Sequence, residues 1–302
     1  MAMNRANFAK QLEPGLNTLF GLEYKRHPEQ WRGIFEVNSS GKAFEEDVLM
    51  EGFGEAPVKA EGAAVAYDTA SEVWTSRYNH QTIAIAFSIT EEQEEDGLYG
   101  STASKYVKAQ ARSMQHTKEI KGANILNNGF DSNYTGGDGV ELFSTAHPTT
   151  QAGNQRNELA TSADLSETSL EQMLIDISDM KDDRGLPIAA MGTKLIIPTA
   201  LQFVAERLLK SNLRTATAEN DVNAIKSMGM ISGGAHVVQR LTDTDAWFML
   251  TDVPDGLKFF QRVGLKKGME GDFETGNVRY KARERYSFGW TDWRGVFGSP
   301  GA

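Results

Sequence analysis

Two side chains of this sequence have the types that nucleophilic catalysis needs. Ser144 and His147 lie three residues apart in the segment Leu142–Pro148, and a histidine base beside a serine hydroxyl is the centre of a hydrolase triad. The segment lacks the Gly-x-Ser-x-Gly turn that exposes such a serine, and no acidic partner stands in a suitable context. We therefore predict no catalytic site. A soluble hydrolase using Ser144 and His147 is kept as the alternative from another functional class.

An oxygen-rich segment at Asp131–Gly136 begins like a calcium-binding loop. Oxygen-bearing side chains stand at alternate positions and the sixth residue is glycine, as in loops that wrap calcium. The twelfth position, which should supply a bidentate glutamate, is Leu142. The five histidines are scattered without ligand spacing. The sequence therefore predicts neither a metal site nor a cofactor.

The acidic run Glu91–Asp96 precedes a long helical pattern. Apolar side chains recur at helical spacing from Ser101 to Asn127, which predicts one helix about 40 Å long. Carboxylates ahead of a helix complement its dipole, so we interpret the acidic run as a solvated cap and not as an acid/base pair. The predicted apolar face consists of Ala103, Tyr106, Val107, Ala111, Met114 and Thr117.

The opposite side of the predicted helix is basic. Lys105, Lys108 and Arg112 share it, and all basic residues counted against Glu119 give the helix a charge of +4 in a chain of net charge −10. Exposed cations on a helix are ordinary, so a plain solvated face is one interpretation. Weak contact with a polyanion is the other.

The composition excludes several classes of protein. The chain has 302 residues, enough for one large domain or two smaller ones. It contains no cysteine, which rules out disulfides, thiolate zinc sites and cysteine nucleophiles. No apolar run approaches the roughly 20 residues of a membrane span, so no membrane partner is expected. The net charge of −10 disfavours a dedicated nucleic-acid binder.

Residues 1–42 show no sustained period. Isolated aromatic residues alternate with breakers such as Pro14 and Gly15, which favours an arm that lies across another surface. An N-terminal segment packed on its own domain is an equally good interpretation.

Residues 43–90 are predicted to be rich in β-structure. Runs at Val48–Phe53 and Glu72–Tyr78 flank a stretch with few large apolar residues, and Thr82–Ile89 alternates like a strand. A free two-stranded hairpin is marginal in water, so we expect this excursion to be covered by a neighbouring molecule.

The second half of the chain reads as a mixture of helices and strands, which gives an α+β class. Ser211–Gly234 is polar and is expected to project as a loop. Apolar or small residues alternate with charged or polar ones along Val278–Phe288, which predicts a strand with one buried face and one solvent-exposed face. The other predicted elements are helices at 167–182 and 199–210 and strands at 193–197, 235–241, 246–251 and 257–263.

Several segments together resemble a known family. Phe87–Glu92 and Ile125–Gly129, at the two ends of the long helix, resemble the spine-helix region of tailed-bacteriophage major capsid proteins. Leu142–Pro148 is similar to a segment of the Mu-like major head subunits. Ala246–Leu250 and Arg279–Arg285 resemble the late strands of the same proteins.

The resemblance implies the tailed-phage major capsid fold and a plan for the chain. This plan has an N-terminal arm at 1–42, an extended β-hairpin loop with flanking strands at 43–90, a peripheral domain with the spine helix at 91–131, an axial domain at 132–265 and peripheral return strands at 266–302.

It also implies a function and partners. Such proteins are structural and assemble through hexamers and pentamers into an icosahedral virion head that encloses double-stranded DNA, built in the bacterial host cytoplasm. Because Met1 begins almost at the arm, a separate scaffolding protein or an already trimmed chain is implied, besides portal and decoration proteins. Lys105, Lys108 and Arg112 would form a lumen-facing basic patch. An encapsulin shell around a protein cargo is the alternative within the same fold.

Overall fold

A computed structural model describes residues 9–90, 92, 99–213, 221–272 and 276–302. The predicted α+β class is confirmed. The helices are α1 (Ala9–Arg26), α2 (Tyr99–Asn127), α3 (Glu167–Ser178), α4 (Gln202–Lys210) and α5 (Ala224–Met228). The strands are β1 (Glu36–Ser39), β2 (Phe44–Met50), β3 (Glu72–Asn79), β4 (Gln81–Ile89), β5 (Gly192–Ile197), β6 (Ala235–Val237), β7 (Trp247–Thr251), β8 (Leu257–Gly271), β9 (Val278–Trp290) and β10 (Val296–Ser299).

A long four-stranded sheet runs in the order β1-β8-β9-β4. β9 pairs antiparallel with both β8 and β4, while β1 runs parallel to β8. The alternation predicted for β9 is confirmed, because Tyr280, Ala282, Glu284 and Tyr286 are buried on one face, while the alternate residues Arg279, Lys281, Arg283 and Arg285 are exposed or partly exposed. The covered face packs against α1 and α2, whose apolar residues Leu16, Phe20, Val107 and Met114 share a core with Tyr280.

The N-terminal segment packs on its own subunit, so the prediction of an arm without helical structure is wrong for the described residues. α1 continues through Pro14, and Phe20 is fully buried against α2 and the long sheet. Trp31 and Phe35 enter a second core beneath β8 and β9. The alternative interpretation, packing on its own domain, is the one that holds here.

A second four-stranded sheet has the order β10-β7-β5-β6. Its core joins Trp247, Trp293 and Phe297 to the apolar side of α3. Because β10 closes this sheet, the chain does not end in the long sheet, contrary to the return predicted for residues 266–302. The predicted boundary at residue 265 likewise falls within β8, which runs unbroken from Leu257 to Gly271.

β2 and β3 form a separate antiparallel ladder, and residues 51–71 between them carry no regular strand or helix. The two predicted strands are present as β2 and β3, although β2 spans Phe44–Met50 and not the predicted Val48–Phe53. Its base rests on the long sheet through Tyr78, whose ring meets Phe260 edge-on at 4.7 Å between centroids.

Three further predictions need correction. α3 ends at Ser178 and not at residue 182, because residues 181–187 turn back through Gly185 at a positive φ of 89°. β6 ends at Val237 and not at residue 241. The segment 211–234 contains the short helix α5 with Ile225 buried, so only part of it can project, and residues 214–220 lie outside the described residues.

The acidic run Glu91–Asp96 lies, apart from Glu92, outside the described residues. Among those that are described, no helix has the length and apolar character to cross a membrane.

Candidate functional site

The basic side of α2 is open, as predicted. Lys105, Lys108 and Arg112 are all exposed, while the helix buries its opposite side. The guanidinium of Arg112 lies 3.9 Å from the largely buried carboxylate of Glu23 on α1. Tyr106 was placed on the apolar face but is 46% exposed, with its ring 5.7 Å from that of Phe87.

Lys118 does not belong to the basic surface, although the sequence count included it. Its ammonium group is buried, contacts the carboxylate of Glu284 on β9, and donates to the hydroxyl of Tyr24 at 2.8 Å. The Tyr24 hydroxyl in turn donates to Glu284 at 2.8 Å. Burial and the neighbouring Glu284 charge raise the pKa of Tyr24, so the hydroxyl keeps its proton. This cluster ties α1, α2 and the long sheet together.

Glu119, one residue further along α2, fixes the chain after α1. Its two carboxylate oxygens accept the backbone N–H groups of Gln30 and Trp31 at 2.9 and 3.1 Å. Burial raises the pKa of Glu119, and the two N–H donors act in the opposite direction. The carboxylate therefore has a structural task, and the chain entering the core at Trp31 is held at a defined place.

Ser144 and His147 do not form a catalytic pair. The imidazole of His147 is fully buried, with Nδ1 2.7 Å from Asp138 Oδ2 and Nε2 3.0 Å from Asn157 Oδ1. The ring also stacks on Trp293 at 4.4 Å and 6°. Both ring nitrogens are thus occupied by partners other than Ser144, and the geometry rejects the hydrolase hypothesis.

Asn157 is the centre of this buried cluster. Its amide nitrogen has two N–H donors for the carbonyls of Leu142, Trp293 and Val296, at 2.7, 3.1 and 3.0 Å, so two of these carbonyls share one N–H. Its oxygen accepts the backbone N–H of Ser144 at 3.0 Å as well as His147. The cluster joins the segment Leu142–Pro148 to the C-terminal strand of the second sheet, so its polar residues act as a structural link.

The calcium-like segment forms a turn. Asp131 Oδ1 accepts both the backbone N–H of Asn133 at 2.9 Å and its side-chain amide at 2.6 Å. Among the described residues there is no group of three or more His, Asp or Glu that could hold a metal ion.

Arg184 clamps the base of the loop formed by residues 51–71. Its guanidinium lies 3.5 Å from Glu51 and 3.3 Å from Asp68, and it donates to the carbonyl of Thr69. A hydrogen bond from Thr150 is the largest cause that lowers the pKa of Glu51, and the N–H of Gly54 is the largest cause that lowers that of Asp68.

The large apolar side chains in the rest of the loop are exposed to solvent. Val58 is 100% exposed and Tyr67 is 98% exposed, and Phe53 and Val65 are more than half exposed. Large apolar side chains so fully in water mark a surface that another molecule covers.

Sequence reasoning missed Asp138, Asn157 and Arg184 as partners, because their contacts depend on the tertiary fold and leave no local pattern. Glu284 had a usable signal. It stands on the apolar face of the alternating strand β9, where a carboxylate requires a buried partner.

Known proteins identify the class. The sequence profile of the phage capsid protein family matches residues 72–298, about three quarters of the 302-residue chain. No curated protein matches the sequence.

Solved structures share the fold at low identity. The capsid of cyanophage P-SCSP1u matches with a TM-score of 0.56 at 11% identity, over 89% of this chain and 86% of that one. The capsid of Myoviridae phage XM1 matches with 0.51 at 11%, over 90% of each chain. A virus-like particle from Pyrococcus furiosus matches with 0.50 at 11%, over 94% and 97%.

The chain belongs to the phage capsid protein family. It is a phage major capsid protein, a structural component of the virion head with the fold of tailed-phage capsids, and not an enzyme.

Proposed function

We propose that this chain assembles through hexamers and pentamers into an icosahedral head that encloses double-stranded DNA. The observation that carries the proposal is the loop 51–71, held at its base by Arg184 while Val58 and Tyr67 stand almost entirely in water. Covering apolar side chains of that size with a neighbouring molecule lowers the free energy of the assembly. Within the family, the segment Leu142–Pro148 supports membership of the Mu-like group.

The domain plan follows the two sheets. We propose that α2 and the long sheet form the peripheral domain, that the second sheet with α3 and α4 forms the axial domain, and that residues 51–71 are the extended loop. Residues 1–42 are proposed to correspond to the N-terminal arm of the family, although α1 packs on α2 of the same subunit. In this plan the whole of β8, from Leu257, belongs to the peripheral domain, and β10 belongs to the axial domain.

The partners proposed are those that a shell of this kind requires: further copies of the chain, a separate scaffolding protein, a portal, decoration proteins and the packaged DNA. Lys105, Lys108 and Arg112 are proposed to face the lumen. Their exposure supports weak, sequence-independent contact with phosphate or with an acidic scaffold surface.

An encapsulin-type shell is the second candidate, supported by the fold match to the Pyrococcus furiosus particle over 94% of the chain. The phage head is preferred because the family profile is that of phage capsid proteins.

The loop provides the test. Val58→Ser combined with Tyr67→Ser should reduce shell formation seen by electron microscopy, while the melting temperature of the unassembled subunit stays unchanged, because both side chains are exposed there. The apolar control Val58→Ile with Tyr67→Phe should assemble normally. Normal shells from the serine variant would contradict the proposal.

A further inference from the structure

The face of the long sheet that points away from α1 and α2 carries a row of cations. Along β9 the outward positions are basic at every second residue, and the neighbouring outward positions of β4 are small. The basic residues are Arg279, Lys281, Arg283 and Arg285, and the small ones facing them are Ser88, Ala86, Ala84 and Thr82.

Three cations at the centre of this face, two on β9 and one on β8, make no ion pair with any residue that the structure describes. Lys266 on β8 stands directly opposite Arg283 on β9, and Lys281 is the next outward residue. Like charges directly opposite across a sheet are destabilising. Within the described part of the chain no carboxylate pairs with any of the three, whereas Arg279 at the end of the row pairs with Asp272 at 2.5 Å.

The three cations border a groove of about 680 Å³. Ala84 and Ala86 supply part of its floor, so the groove is open between the longer basic side chains. A groove lined by three unpaired cations stands out from the rest of the surface in a chain of net charge −10.

We propose that this groove is a docking site for an extended acidic segment of a second protein. Outward residues of a strand repeat at about 6.8 Å, twice the rise per residue. An extended peptide has the same repeat, so carboxylates at alternate positions can meet Lys281 and Arg283 in register, with Lys266 beside them. The bound carboxylates would relieve the repulsion between Lys266 and Arg283.

The chain's own loop 51–71 does not fit this site. Glu51 and Asp68 are already held by Arg184. The remaining carboxylates, Glu55 and Glu61, lie six residues apart with a lysine between them, and so cannot present the two-residue spacing. Nucleic acid is the competing polyanion, and its tighter binding is one of the outcomes of the test below.

The test uses the unassembled full-length subunit and a fluorescent alternating Glu–Thr peptide. We expect saturable binding that weakens as salt rises. Replacing the three cations (K266Q, K281Q and R283Q) should weaken it by about tenfold or more, since charge-assisted contacts are lost. The matched variant K42Q, R207Q and K210Q removes three exposed cations elsewhere and should bind as the parent does.

The melting temperature separates binding from folding. The groove variant should melt no lower than the parent, because its like-charge pair is gone. If the triple variant does not fold, Arg283→Gln alone should still weaken binding.

Four results would overturn the proposal: no saturable binding of the Glu–Thr peptide, equal binding of a Gln–Thr peptide, equal weakening in the matched variant, or tighter binding of single-stranded DNA or of a 51–71 peptide. None of these measurements requires shell assembly, so they are independent of the proposed function.

Discussion

At the scale of single residues, buried ion pairs and hydrogen bonds connect elements that are distant in sequence. Lys118, Glu284 and Tyr24 come from α2, β9 and α1, and they satisfy one another inside the core. A buried pair of this kind is expensive to break on one side, because the remaining charge has no compensation.

We predict that Lys118→Met lowers the free energy of unfolding of the subunit by about 3–5 kcal/mol, measured by urea denaturation. Lys118→Met combined with Glu284→Leu should lose less than the two single changes added together, because no charge is stranded. The exposed Lys108→Met is the control and should change stability by less than about 0.5 kcal/mol. Equal effects at positions 118 and 108 would contradict the assignment.

A second residue-scale prediction concerns the hydrogen-bonded centre at Asn157. Asn157→Asp removes a donor that serves three carbonyls, so unfolding free energy should fall by about 3 kcal/mol or more. Ser144→Ala removes a hydroxyl that the cluster does not depend on and should cost less than about 1 kcal/mol. If Ser144→Ala were the more damaging change, the arrangement described for this cluster would be wrong.

At the scale of elements, the sequence predicts those whose period is long and regular. α2, β4 and β9 are where their patterns place them, since each has many turns or residues that repeat one arrangement. α1 was missed because Pro14 and Gly15 suggested a break. A proline removes one helical hydrogen bond, and the burial of Leu16 and Phe20 against α2 more than offsets that loss. Such a tertiary contact leaves no local signal.

The same limit applies to the clamp on the loop 51–71, because Arg184 lies more than 100 residues from the residues it holds. We predict that Arg184→Gln increases hydrogen exchange of loop amides at neutral pH, because the loop loses its tie to Asp68 and Glu51. Arg207→Gln, an exposed arginine on α4, should leave that exchange unchanged.

The pH dependence of the clamp follows from the pKa of its two carboxyl groups. Both are lowered from ordinary values of 4.5 for Glu51 and 3.8 for Asp68. Their contribution is therefore complete above those values and is lost as the pH falls through the lower, folded-state pKa. In the parent, acid should loosen the loop, and in Arg184→Gln this change should be smaller. If hydrogen exchange of the loop amides changed neither with acid nor with the substitution, Arg184 would not be what holds the loop.

At the scale of the whole molecule, an acidic chain presents two separate basic surfaces, one on α2 and one on the open face of the long sheet. The patterns of α2 and β9 could be read from the sequence, but the pairing of Lys266 with Arg283 could not, because it depends on the register of two strands.

We predict that K105Q, K108Q and R112Q together spare the fold, since glutamine keeps helix propensity and all three side chains are exposed. They should reduce scaffold-dependent assembly or the amount of DNA retained in particles, measured by sedimentation and by nuclease-protected DNA. The K42Q, R207Q and K210Q variant controls for loss of charge. Unchanged assembly, DNA content and salt sensitivity would make the α2 cations a solvated surface.

The central claim, that this chain builds a DNA-filled head, is tested most directly by imaging the particles it forms in an infected host and assaying their contents. We predict closed icosahedral shells whose lattice consists of this chain in hexamers and pentamers, and which protect double-stranded DNA from nuclease. Shells filled with a protein cargo and without DNA would contradict the claim in favour of an encapsulin. A chain that stays monomeric would contradict it altogether.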